Sequence, residues 1–75
     1  MKTENFIVGK VQKNSQEEIR VTLQNYKGSD LIDLRTYWQN NEGKWIPTRK
    51  GISLTELVIQ DVIKLLQIAF KKMHI

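Results

Sequence analysis

The stretch KWIPTRKGISL, residues 44–54, sets Trp45 and the adjacent cations Arg49 and Lys50 within a few residues of one another. Further cations and rings alternate along two earlier segments, with Arg20, Gln24, Tyr26 and Lys27 in one and Arg35 and Tyr37 in the other. That mixture suits a single strand of nucleic acid. Cations track its phosphates, and flat rings stack on unpaired bases at about 1–3 kcal/mol each. Duplex DNA would call for a helix or ribbon shaped to the major groove. Twelve Lys and Arg against eight acids give +4, which permits a polyanionic partner without demanding one.

Other chemistries are poorly supplied. There is no Cys, and His74 is the lone His, so neither a disulfide nor a metal site is expected, and no cofactor. No Ser/His/Asp set and no glycine-rich phosphate loop is present. Asp30 and Asp33 read as a turn former and a surface charge, and Ser53 as a helix cap rather than a nucleophile. No enzyme is expected. No basic-then-apolar leader opens the chain, and apolar runs stop at three residues, as at Leu57–Ile59, so a cytoplasmic location without a membrane span is expected.

The 75 residues suffice for one domain, 1–75. Segments 5–13, 18–27, 31–39 and 44–48 read as strands, parted by turns at 13–18, 27–30 and 40–43. In 18–27, Ile19, Val21 and Leu23 share one face and Arg20, Thr22, Gln24 and Tyr26 the other. In 31–39, Ile32 and Leu34 face in while Asp33, Arg35 and Tyr37 face out. Pro47 lacks an amide donor and marks the fourth strand as an edge. Ser53 to Glu56 forms a capping box, and one helix follows over Leu54–Met73. The expected fold is α+β: a curved four-stranded antiparallel sheet with one long C-terminal helix (ββββα) covering one sheet face.

That helix is too apolar for one sheet. Glu56, Gln60, Lys64, Gln67 and Lys71 line a narrow polar stripe, and apolar residues cover most of the rest. A helix on a sheet needs an apolar arc of roughly 100°. The surplus calls for a second chain, with Leu57, Ile59, Ile63, Leu66 and Phe70 at a homodimer interface, or for Phe6 and the first strand wrapping round it.

Residues 25–54 closely resemble the C-terminal domain of the transcriptional coactivator positive cofactor 4. The resemblance rests on YKG (26–28), IDLRTYW (32–38), NEG (41–43) and RKGISL (49–54) in matching order, with FIVGK (6–10) like the first strand. It spans about residues 5–60, with a longer first hairpin, and points to the small bacterial YdbC-type relatives. It implies a homodimer whose paired sheets hold single-stranded DNA, or two antiparallel strands of melted duplex, with little sequence preference, in transcription, replication or repair. It carries nucleic-acid roles to Tyr26, Lys27, Trp38, Arg49, Lys50 and Lys10. Ser29 and Gln24 stand where the family has basic residues, and Lys44 or Lys13 compensates. Alternation places Trp38 beside Ile32 and Leu34, whereas the resemblance places it in the groove, which requires a bulge near Tyr37. Trp45 stays open between core and groove, and Tyr26 and Tyr37 between stacking and sheet pairing. A protein-interaction module of the transcription machinery, or a single-stranded RNA binder, remains the alternative.

Overall fold

The computed structural model describes residues 5–75. Four strands run in chain order across one antiparallel sheet: β1 Phe6–Gln12, β2 Glu17–Tyr26, β3 Ser29–Gln39 and β4 Trp45–Thr55. Helix α1, Glu56–Met73, follows directly. The order β1-β2-β3-β4 makes β4 an edge, and Pro47 lies in it as expected.

The register sorts side chains by chemistry. The pairs Glu18↔Tyr37, Arg20↔Arg35 and Thr22↔Asp33 lie on one face, and Ile19↔Thr36, Val21↔Leu34 and Leu23↔Ile32 on the other. Lys10 extends the first set from β1, and Ile52 and Leu54 extend the second from β4. Two irregularities break the ladders. Val8 is an extra residue in β1 between Ile7 and Gly9. In β4, Thr48, Arg49 and Lys50 together oppose Thr36, because Arg35 pairs with Gly51 and Tyr37 with Pro47.

Three expectations are corrected. β4 is eleven residues long and absorbs Arg49–Thr55, so Ser53 lies inside a strand. Its hydroxyl donates to Asp33 Oδ1 at 2.8 Å instead of capping a helix. Thr55 takes the N-cap position, in extended backbone and with no side-chain cap bond. The cause is β3, whose outer edge of N–H and C=O groups needs a partner along its length. Gly51 is likewise a strand residue and accommodates a close approach: a Cβ there would lie 2.6 Å from the Leu34 carbonyl and 2.8 Å from Arg35 Cα.

The helix also fails to cover the sheet. Leu, Gln and Lys favour helix, Glu56 sits in the first turn, and Lys71 and Lys72 complement the dipole in the last. Yet α1 meets its own sheet only along β3 and β4, and among the described residues it does not touch β1. Phe6 and the first strand therefore do not wrap it. Ile59 and Val62 are its two half-buried residues. Ile59 joins Leu23, Ile32 and Leu54 around a notch at the helix start. Leu57, Ile63, Leu66 and Phe70 are exposed. No apolar side chain is buried among the described residues. The buried ones are Glu18, Thr22, Asp33 and Thr36.

Candidate nucleic-acid interface

The polar face is built around two acid–arginine pairs, each two residues apart on one strand. On β3, the Arg35 Nε and Nη2 donate to the two oxygens of Asp33 at 3.1 and 3.0 Å, and Nη1 donates to the Thr48 carbonyl at 2.9 Å. Burial raises the Asp33 carboxyl, but the hydrogen bonds from Arg35 and Ser53 outweigh it, and its pKa falls below the ordinary value. The hydrogen bond to Asp33 raises Arg35 in turn. On β2, Arg20 Nε donates to Glu18 Oε2 while its guanidinium lies 4.2 Å over the Tyr37 ring. These are the two ion pairs among the described residues.

The remaining cations of the site, Lys10, Lys27, Lys44, Arg49 and Lys50, have no ion-pair partner among the described residues, nor has Lys13. Lys10 is on edge strand β1, Lys13 and Lys44 are beside hairpin loops, and Arg49 and Lys50 are in the β4 bulge. Arg35 anchors that bulge through Thr48, and Thr48 Oγ1 donates to the Thr36 carbonyl at 2.7 Å. The middle of the face is thus neutralised and the rim carries the surplus charge.

One corner is the β2–β3 turn. Tyr26 pairs with Ser29, which leaves Lys27 and Gly28 as a two-residue turn with φ of 51° and 84°. Both angles are positive, as a type I′ hairpin turn requires. Asn25 Oδ1 accepts from the Gly28 amide at 3.3 Å. Lys27 occupies a left-handed conformation that disfavours a side chain by roughly 1–2 kcal/mol. Its ammonium lies 5.3 Å over the Tyr26 ring, which is 61% exposed. Tyr26 and Tyr37 do not oppose each other: Tyr26 faces Ser29, and Tyr37 faces Glu18 and Pro47.

The other corner is the β3–β4 hairpin. Asn40 Oδ1 accepts the amides of Glu42 and Lys44, both at 2.9 Å, and Gly43 takes φ of 81°. The β2–β3 ladder is unbroken through Glu17↔Trp38, so the bulge that would re-aim Trp38 is absent from β3. Trp38 stays on the Ile32 and Leu34 side, 42% exposed rather than buried in a core. Lys50 leans the same way, lining a hollow with Ile19, Leu34, Thr36 and Ile52. Glu17 is held low by the Asn14 hydrogen bond first, with Lys13 and Lys50 adding to it. The candidate residues therefore divide. Lys10, Arg20, Gln24, Tyr26 and Arg35 share the polar face, while Trp38 and Lys50 lie toward the other side near the β3–β4 end. Trp45 pairs with Gln39, two positions from Tyr37, which puts this half-buried ring on the polar side.

The family model described as Transcriptional Coactivator p15 (PC4) matches residues 13–65. The chain belongs to the PC4 family. A PC4 homolog from Burkholderia pseudomallei, BPSL1147, shares the fold at a TM-score of 0.80 and 29% identity, over 92% of this chain and 93% of that one. A bacteriophage T5 homolog of the eukaryotic coactivator PC4, implicated in recombination-dependent DNA replication, matches at a TM-score of 0.62 and 18% identity, over 95% of this chain and 77% of that one, which supports the fold alone. The RNA polymerase II transcriptional coactivator KELP of Arabidopsis thaliana is 51% identical over 37 residues, 49% of this chain and 22% of its own length. The coactivator SUB1 of Saccharomyces cerevisiae is 39% identical over 46 residues, 60% of this chain and 16% of its own. The PC4 domain here thus spans under a quarter of these curated relatives, which are named as coactivators and not as enzymes. Their match confirms the family to which residues 25–54 pointed, and the ββββα order agrees with the PC4 fold.

Proposed function

We propose that this protein is a homodimeric, sequence-tolerant single-stranded DNA-binding protein acting in transcription, replication or repair, in the cytoplasm. The observation that carries the binding is the Tyr26–Lys27 corner. An exposed ring and a cation held in a disfavoured backbone state sit beside an open polar face, and strain of that kind gathers at functional sites. Rim cations hold phosphates, and rings at the corners take bases whatever their identity. The names of the curated relatives support a role in transcription.

Surface supports the dimer. The chain exposes 6396 Å², whereas a compact monomer of its mass exposes roughly 4,800 Å². The difference, about 1,600 Å² per chain, is the size of an obligate homodimer interface. Its Cα radius of gyration is 14.3 Å, against about 11 Å for a compact domain of this length. Leu57, Ile63, Leu66 and Phe70 on α1, with Ile59 at the sheet junction, are the apolar surface a second copy would cover.

The test titrates labelled oligo-dT of ~20 nucleotides, its duplex and a matched RNA at several salt concentrations, with the mass checked by light scattering. Contact with about six phosphates gives a slope of log K against log salt near −4. The expected species has twice the chain mass and prefers the single strand. A monomer, or equal affinity for duplex, refutes the reading. A preference for RNA reassigns the ligand, and weak binding to every oligonucleotide favours a protein partner.

A further inference from the structure

Arg20 looks at first like another phosphate ligand. Its surroundings argue otherwise. Its Nε is committed to Glu18, whose side chain is 7% exposed and lies beside it on the same strand face. A phosphate brought to Arg20 would meet that fixed anion at close range. The guanidinium carbon lies over the Tyr37 ring, 4.2 Å from its centroid, and the side chain is 15% exposed. One face of the plane is therefore taken by the ring and its Nε by the carboxylate. Of its two faces, the opposite one is left to a ligand, and flat guanidinium planes accept stacked bases. Lys10 and Arg35 flank Arg20 across the strands, so the plane sits midway between the β1 edge and the β4 bulge.

We infer that Glu18, Arg20 and Tyr37 form a base-stacking platform in the centre of the polar face, and that Arg20 binds a nucleobase and not a phosphate. Glu18 and Tyr37 are positioning residues that fix the guanidinium plane. The inference rests on the single-strand reading above and deepens it: phosphates follow the rim while bases lie on a charge-neutral floor.

The test compares the wild-type protein with Arg20→Lys and with the charge-balanced double variant Arg20→Met/Glu18→Gln. Arg20→Lys keeps the charge for Glu18 and removes the plane. Each protein is titrated with ~20-nucleotide oligo-dT and with an abasic tetrahydrofuran-phosphate strand of equal length, over a salt series. Circular dichroism and light scattering check the fold and mass. Both variants are expected to bind oligo-dT about fivefold or more weakly, from the lost stacking, with the salt slope unchanged. On the abasic strand they should match the wild type. Unchanged affinity for oligo-dT, or an equal loss on both strands, overturns the platform. So does a double variant whose salt slope flattens by about 0.7, the signature of a lost phosphate contact. If the wild type binds neither strand in a salt-dependent way, the single-strand reading itself has failed, and the platform with it.

Discussion

Replacing Lys27 by Asn should move stability and binding in opposite directions. Lys27 holds φ of 51° in a two-residue turn whose second residue, Gly28, is at 84°. A side chain such as Lys is disfavoured there by roughly 1–2 kcal/mol, whereas Asn visits this region readily and Asn-Gly is a preferred pair for the turn. The variant should therefore gain about 0.5–1 kcal/mol from relieved backbone. For a domain of this size that raises Tm by roughly 2–8 °C at fixed protein concentration. The same change removes the ammonium that lies 5.3 Å over Tyr26. One phosphate contact per chain is lost, so the salt slope should flatten by about 0.7 for each contact. Thermal melts at matched concentration and a salt series on oligo-dT read the two effects separately. A variant that melts lower refutes the strain argument. One that melts higher but keeps the wild-type salt slope refutes Lys27 as a phosphate ligand.

Three further outcomes follow from the sheet. Gly51→Ala should destabilise by roughly 1–3 kcal/mol, because the new Cβ would sit within 3 Å of backbone on β3; a thermal melt as high as the wild type would contradict the close approach. Ser53→Ala should cost about 1–2 kcal/mol from the lost hydrogen bond to Asp33, with helix content by far-ultraviolet circular dichroism unchanged; fraying of α1 instead would restore Ser53 as a cap. Asp33 is held below its ordinary pKa in the fold, so its pair with Arg35 stabilises above the unfolded carboxyl's pKa and is lost as pH falls through the folded one. Acid titration of stability should lose that contribution below about pH 4, and Asp33→Asn should remove the step.

Alternation made the two faces legible. Ile19, Val21 and Leu23 against Arg20, Thr22 and Gln24 is a period-two pattern, and the structure keeps it. The order of the strands and Pro47 at an edge were equally readable. The end of β4 was not. Ser53-Leu54-Thr55-Glu56 matches a local capping signal, but the demand of β3 for a partner is a long-range term, and it won. The same term hid the role of Gly51, which answers to Arg35 sixteen positions earlier. The acid–arginine pairs lay in view at spacing two, Glu18 with Arg20 and Asp33 with Arg35, and same-face neighbours on a strand were the available signal. The position of Trp45 beside Tyr37 could not be read, because it depends on the length of the β3–β4 turn that pairs Gln39 with Trp45.

The distribution of charge bears on why a single strand should be preferred. Ion pairing silences Arg20 and Arg35 in the middle of the face and leaves the surplus on edges, loops and the bulge. A ligand that satisfies both regions must carry its phosphates outward and turn flat, weakly charged groups down onto the centre. An unpaired strand can do this, since its bases rotate away from its backbone. A duplex cannot, because its bases are stacked and paired inside and only its phosphates and groove edges reach a surface. Uniform charge across the face would erase that distinction and attract any polyanion alike. On this argument the two carboxylates, Glu18 and Asp33, matter to selectivity although neither touches the ligand. Removing them together should raise affinity for duplex more than for the single strand, at the cost of the rigidity that holds both arginines in plane.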